Sequence, residues 1–167
     1  SVIVPMLNSI QYIDECIISI LNQTLHEIEV ICIDAGSNDG TLERLQYYAN
    51  IDTRVKIINS NKKSYGYQVN LGLSVAKGKY FAIVESDDYI IEDMYETLYN
   101  LAVKYDLDSV KSDFCLFFGD GNDRSFTHRY LTQDRKYYDK VLAPDNDINL
   151  FRASNINPPG IYSLDFM

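Results

Sequence analysis

Along the chain, short runs of β-branched and other apolar residues alternate with longer segments whose apolar positions recur every three or four residues. That is the pattern of strands joined by crossover helices into a mostly parallel sheet, an α/β fold. Residues 2–4 read as a first strand. A helix capped at Asn8 or Ser9 follows, with Ile13, Ile17, Ile20 and Leu21 on its apolar face and an end near Gln23. Residues 29–34 (EVICID) and 54–59 (RVKIIN) are predicted strands flanking a helix over 39–49. A third helix over 67–76 is expected to close at Gly78, and a strand over 79–84 leads into a long amphipathic helix over 91–105. Residues 109–118 read as one further strand, turned at Gly119-Asp120-Gly121-Asn122. From Arg124 onward Tyr130, Tyr137, Tyr138, Pro144, Pro158 and Pro159 come with little periodicity, which predicts irregular structure with short antiparallel pieces.

A length of 167 residues suits one domain with a sizeable core, and 46% hydrophobic with 23% charged residues argues against disorder. Fifteen basic residues against 24 acidic ones give a net charge of -9, and the basic positions are scattered, so a nucleic-acid surface is excluded as a partner. An anionic small molecule bound by such a chain needs a cation or backbone N–H groups for compensation. Cys16, Cys32 and Cys115 have neither disulfide-framework nor zinc-ligand spacing, which points to a reduced, cytoplasmic compartment. No apolar stretch reaches the ~20 residues that span a bilayer, and no signal peptide opens the chain. The sequence opens inside an apolar run, Ser1-Val2-Ile3-Val4-Pro5, and closes at Asp165-Phe166-Met167, so a trimmed chain is expected.

Ligands of open parallel sheets bind beyond the carboxyl ends of the strands, so polar residues there are the ones to inspect. Asp34-Ala35-Gly36-Ser37-Asn38-Asp39-Gly40-Thr41 follows one strand; a plain strand-to-helix turn accounts for all of it except Asp34. Glu85-Ser86-Asp87-Asp88 follows another. Adjacent carboxylates at the end of a buried strand repel each other and suffer desolvation. Mg²⁺ or Mn²⁺ shared with substrate phosphates removes that cost, while the alternative is that Asp87 or Asp88 caps the next helix. Ser64-Tyr65-Gly66-Tyr67-Gln68-Val69-Asn70 is either a loop with a helix cap or a nucleotide contact through Gln68 or Asn70. His26 and His128 lack a second histidine at ligand spacing and read as surface or capping residues, and Gly119 to Asp123 reads as a turn, not a calcium loop. The 14 tyrosines serve either as sugar-stacking rings or as the rim of the core.

Taken in order, Ser1-Val2-Ile3-Val4-Pro5 with Asn8, Leu21-Asn22-Gln23-Thr24, Ile33-Asp34-Ala35-Gly36-Ser37-Asn38-Asp39-Gly40-Thr41, Asn70-Leu71-Gly72, Ala76-Lys77-Gly78-Lys79-Tyr80 and Ser86-Asp87-Asp88-Tyr89 resemble the family-two glycosyltransferases. The resemblance implies a GT-A fold: a Rossmann-like, mostly parallel sheet with helices on both faces and an irregular acceptor-side portion at the C-terminal end. It implies a nucleotide-sugar-binding part over residues 1–105 and the start of the acceptor-side portion over 106–167. It implies an inverting transfer from a nucleotide sugar, most commonly a UDP-sugar, to a growing glycan or lipid-linked glycan, in the cytoplasm or at the inner face of the cell membrane. By the same resemblance Pro5 and Asn8 lie beside the base, Asp34 contacts the nucleobase, Asn70 lies on the helix lining the donor phosphates, and Asp87 and Asp88 hold Mn²⁺ or Mg²⁺ and the ribose.

The sequence departs from the family pattern at Leu7, where an aromatic is common, at Ala35, where a second acid is usual, at Val69, a frequent arginine, and at Glu85, usually aspartate. In an inverting transfer a carboxylate takes the proton from the acceptor hydroxyl while the metal stabilises the departing diphosphate. In relatives that base lies well downstream of the metal pair, so it is expected beyond Met167. Two alternatives stand beside this reading: a sugar-phosphate nucleotidyltransferase, whose Gly- and Arg-rich first loop is missing at Val4-Pro5-Met6-Leu7-Asn8, and a nucleotide-binding module without turnover.

Overall fold

The computed structural model describes residues 1–119, 123–130, 138, 140–142 and 159–166. Strands β1 (Val2–Met6), β2 (Val30–Asp34), β3 (Val55–Asn59) and β4 (Tyr80–Ile83) alternate with helices α1 (Ile13–Leu21), α2 (Thr41–Ile51), α3 (Tyr65–Leu73) and α4 (Met94–Tyr105). Strands β5 (Ser109–Lys111), β6 (Phe114–Phe118), β7 (Ser125–Arg129) and β8 (Gly160–Ser163) follow. One six-stranded sheet has the order β3-β2-β1-β4-β8-β5, parallel through β4, with β8 running antiparallel between β4 and the edge strand β5. The hairpin β6–β7 forms a second, two-stranded sheet.

The near-continuous apolar runs of β1 and β2 follow from burial on both faces. Val2, Val4, Met6, Val30 and Cys32 pack with Ile13, Ile17 and Ile20 of α1, Leu45 of α2 and Leu98 of α4. The intervening Ile3, Ile31 and Ile33 pack on the opposite face with Leu71 and Leu73 of α3. Helices therefore cover both faces, as expected. On α3, Gly72 is set by close approach: a Cβ there would stand 2.6 Å from Ile3 Cγ2. Among the described residues no helix is long and apolar enough to cross a membrane.

Four local expectations are corrected. Asn8 and Ser9 do not cap α1; Tyr12 precedes it without a side-chain bond, and Asn8 and Ser9 face other loops. Helix α3 ends at Leu73 and not beside Gly78; at Gly78 a Cβ would stand 2.6 Å from Ser1 N, so its small size serves a close backbone approach. Helix α4 begins at Met94, three residues later than predicted. The single strand over 109–118 is two strands in two sheets, because β5 pairs with β8 and β6 pairs with β7. The turn at Asp120-Gly121-Asn122, with Tyr137, Pro144 and Pro158, lies outside the described residues.

Candidate donor-binding site

Where strand order reverses in a parallel sheet, the loops on either side leave a crevice at the carboxyl edge. Here the chain moves outward from β1 to β2 and β3, then returns to place β4 on the other side of β1, so the reversal lies between β1 and β4. Pro5 sits at this point. Ser1 and Ile3 turn their carbonyls toward β4, accepting from Ala82 N at 2.9 Å and Val84 N at 3.0 Å. Residue 5 is next in that row, and proline has no N–H with which to extend the ladder. Pairing of β1 with β4 accordingly ends at Ile3 and Ile83, while pairing with β2 runs on to Met6 and Asp34.

The loop after β1 is laced to the loop after β2. Asn8, in the left-handed region at φ 56°, donates its N–H to Ser37 Oγ at 2.8 Å and accepts from Asn38 N at 2.9 Å. Ser9 N donates to Thr41 Oγ1 at 2.8 Å, and Ile10 N to Asp39 Oδ2 at 3.1 Å. Asp34 is 1% exposed, and its carboxylate accepts from Gly36 N at 3.0 Å, Ser37 N at 3.1 Å and the Ser37 hydroxyl. Its carboxylate oxygens are thus engaged in shaping this turn. Gln68, buried on α3, donates from Nε2 to Met6 O at 2.8 Å and Ile33 O at 2.7 Å, clipping the ends of β1 and β2 together. The nucleotide contact considered for Gln68 is therefore replaced by a structural role. Asn70 is exposed. At 3.6 residues per turn it is carried to the far side of α3 from Gln68, Val69 and Gly72. It makes no side-chain hydrogen bond to these loops among the described residues. Ala35 and Val69 are buried and Leu7 is 38% exposed, so of the departures only Leu7 offers an apolar surface at the crevice edge.

The loop after β4 is held on both sides of its carboxylate pair. Glu85 accepts through Oε1 from the Tyr65 hydroxyl at 2.6 Å and through its carbonyl from Asp88 N at 3.0 Å and Cys16 Sγ at 3.5 Å. The Ser86 and Ser9 hydroxyls share a hydrogen bond of 2.7 Å, and Ile90 N donates to Ser19 Oγ at 3.2 Å. Asp87 and Asp88 are exposed, and their carboxylates have no hydrogen bond or ion pair among the described residues. They do not cap α4, either. That helix starts at Met94, and the N–H of Tyr95 is taken by Oε1 of the fully buried Gln23 at 2.9 Å. Gln23 also donates to Ile91 O at 2.6 Å. Partial desolvation, then the negative charges of Asp87 and Glu85, push the Asp88 carboxyl up to about 6. Because the residue is also exposed, solvent screens part of this effect.

Among the described residues no group of three or more His, Cys, Asp or Glu is arranged as a metal cage. A cage is not what Mg²⁺ or Mn²⁺ requires, since one or two carboxylates complete their shell with water and substrate phosphates. A bare, mutually repelling pair with unused oxygens fits that donor set. A separate cavity of about 240 Å³ opens at the other end of β1 and β4, among Val2, Leu25, Lys79, Tyr80 and Tyr99, remote from these carboxylates. The sequence reading does not anticipate the tethers of Gln23, Tyr65 and Gln68; only Gln68, a polar side chain on the buried face of α3, carries a signal that marks it. His128 bonds Asp113 at 3.0 Å with half its side chain exposed, in keeping with a surface residue.

A family model described as glycosyl transferase family 2 matches residues 1–157. Glycosyltransferase GlyG of Streptococcus pneumoniae serotype 4 is 38% identical over 135 residues, which is 80% of this chain and 44% of the relative. The chain therefore spans less than half the length of this curated relative. Among solved structures, S. aureus TarS 1-349 superposes with a TM-score of 0.75 at 24% identity, covering 98% of this chain and 46% of that one, and shows the GT-A fold. TarS has also been solved with UDP and with UDP-GlcNAc. The mannosyltransferase PcManGT of Pyrobaculum calidifontis, solved with GDP-Man and Mn²⁺, superposes at 0.59 and 22% identity over 66% of this chain and 35% of that one.

Proposed function

The chain belongs to glycosyl transferase family 2, and from that premise we propose that it binds a UDP-sugar in the crevice between β1 and β4 for inverting transfer to a glycan or lipid-linked glycan. The observation that carries the reading is the loop after β4: its neighbours are tied down, while Asp87 and Asp88 have no side-chain partner among the described residues and crowd each other. These two residues would hold Mn²⁺ or Mg²⁺. When bound, the ion neutralises the diphosphate that leaves with the nucleotide. The chain's own residues do the rest of the binding. Pro5 ends the β1–β4 ladder and so leaves the crevice open. Asn8 and Asp34 build the paired loops against which the base rests, Gln68 fixes the strand ends beneath them, and Asn70 faces solvent on the helix beside the site. The acceptor hydroxyl loses its proton to a carboxylate as it attacks the anomeric carbon; no residue of this chain is assigned that role. The uridine preference is supported by the nucleotides found with TarS, whose fold this chain shares. The free cysteines support a cytoplasmic setting, including the inner face of the membrane where lipid-linked acceptors are met.

The test is thermal unfolding of the protein with UDP, GDP or CMP, each with Mn²⁺ or with a chelator. A ligand at a hundred times its Kd stabilises the folded state by about 2.7 kcal/mol. Stabilisation by UDP that requires Mn²⁺, and that is lost in Asp87→Asn and Asp88→Asn, is the expected result. Equal stabilisation with the chelator, or undiminished manganese dependence in both variants, removes the site from this loop. A larger effect of GDP overturns the uridine assignment alone.

A further inference from the structure

We propose that Arg124 is a positioning residue for the carboxylate pair, acting through Tyr89; the inference rests on the donor-site reading above. Arg124 lies just before β7, yet its guanidinium grips α1, 109 residues away along the chain. Nη2 donates to Glu15 Oε2 at 2.7 Å and Nη1 donates to Glu15 Oε1, a two-pronged ion pair. The same guanidinium lies 4.7 Å from the ring centroid of Phe117, on β6, and 5.7 Å from that of Tyr89. The Tyr89 and Phe117 rings are themselves 5.5 Å apart. Helix α1, the β6–β7 hairpin and the loop after β4 thus converge on one cation.

Tyr89 is the residue next to Asp88. Since neither Asp87 nor Asp88 has a side-chain partner among the described residues, their direction is set by what holds the loop on either side. Before the pair, Glu85 is held by Tyr65 and Ser86 by Ser9. After it, Ile90 is held through its backbone by Ser19, and the Tyr89 ring is held by Arg124 and Phe117. Ligands carried on a loop are only as well placed as the residues supporting them. The choice of arginine follows from the geometry: a planar fork can bind both oxygens of Glu15 and still present its flat face to aromatic rings, which a lysine ammonium cannot do. With its side chain 19% exposed, Arg124 is drier than an ordinary surface partner, and its charge is already engaged by Glu15. It therefore acts on the carboxylates' placement and not on the donor phosphates directly.

The test compares UDP affinity with saturating Mn²⁺ and with chelator in the parent protein and in Arg124→Ala, Arg124→Lys, Glu15→Gln and the control Arg54→Ala. Arg54 bonds Asp52 and Leu21 O, away from this loop. Loss of one partly dry ion pair with its ring contacts corresponds to about a fivefold to tenfold effect. Arg124→Ala and Arg124→Lys are expected to weaken manganese-dependent binding by that factor while chelator-treated affinity changes less than about twofold. Glu15→Gln moves the same way, and adding it to Arg124→Ala brings no further loss. Unchanged manganese-dependent affinity in Arg124→Ala overturns the proposal. So does an equal loss with chelator, which would mean a direct phosphate contact, or the same loss in Arg54→Ala, which would mean general destabilisation. If the parent protein shows no manganese-dependent UDP binding, the donor-site reading falls first and this inference with it.

Discussion

An Asp88→Asn variant should fold more tightly than the parent at neutral pH and hold the metal-bound nucleotide less well. A carboxyl whose titration moves from 3.8 to about 6 on folding disfavours the ionised folded state by at most about 3 kcal/mol, at 1.36 kcal/mol per tenfold. Asp88 is exposed, so solvent screening lowers this to about 1 kcal/mol, and for a domain of this size that raises Tm by about 2–4 °C. The sign follows from linkage. The folded pKa lies above the unfolded one, so the folded state binds the proton more tightly and stability falls as pH rises between 3.8 and about 6. Above that window the penalty is complete, and below it there is none. Asparagine has no such penalty. Thermal unfolding with chelator from pH 3.5 to 7.5 should therefore show the two proteins diverging in favour of Asp88→Asn as pH rises. Asp87→Asn should recover part of the gain by removing one of the charges that crowd Asp88. A stability difference independent of pH, or an Asp88→Asn protein less stable at pH 7, would refute the crowding on which the metal assignment rests.

Three further outcomes test the scaffold beneath the site. Gln68→Ala strands the carbonyls of Met6 and Ile33 and should lower unfolding free energy by about 2–4 kcal/mol in urea titration; near-parent stability would show that the clip is unimportant. Gly72→Ala places a methyl 2.6 Å from Ile3 Cγ2 and should destabilise by about 1–3 kcal/mol, relieved in part by Ile3→Ala. Additive losses in that double variant would exclude the contact. Burial would raise the Glu29 carboxyl, but the Lys56 ammonium, the Ser1 hydroxyl and Lys77 N–H outweigh it and hold it at about 2. With the folded pKa depressed, its contribution of about 2–3 kcal/mol is present above 4.5 and lost as pH falls toward 2. Glu29→Gln should flatten that acid limb, and an unchanged limb would mean that other carboxylates govern it.

Strands β1, β2 and β4 are legible because each is a near-continuous apolar run, and burial demands that composition locally, whereas the edge strand β3 interrupts its β-branched residues with Lys56. Helix existence was legible for the same local reason. What sequence could not resolve depended on partners from elsewhere. The run over 109–118 contains no glycine or proline at Ser112-Asp113, and it divides because β8, about 50 residues later, claims only its first part. Asn8 and Ser9 have the residue types of a helix cap, but the same hydroxyl and amide groups serve equally to lace two loops together, and only the neighbouring loop decides which. Gln68 misled in the opposite sense. A polar residue near a predicted ligand site invites a binding role, whereas the ends of β1 and β2 left two carbonyls to satisfy, and burial settles which need is met.

The same reasoning separates Asp34 from Asp87 and Asp88, although all of them are acids at the exits of buried strands. Asp34 has donors at Gly36 and Ser37 and almost no exposure, so its oxygens are satisfied by the turn and its conformation is fixed before any ligand arrives. Asp87 and Asp88 meet the opposite condition. The serines and the tyrosine around them are engaged with each other, with backbone groups and with Glu85, leaving the two carboxylates with repulsion and, among the described residues, no donor. A fold that satisfies Asp34 so fully could have supplied donors here as well, since Ser9, Ser19, Ser86 and Tyr65 are all close by and all engaged with something else. On the proposed reading, leaving this pair bare lowers the stability of the ligand-free protein, and positive charge arriving with the donor offsets the loss. That is why the free pair, more than the buried Asp34, carries the proposed metal site.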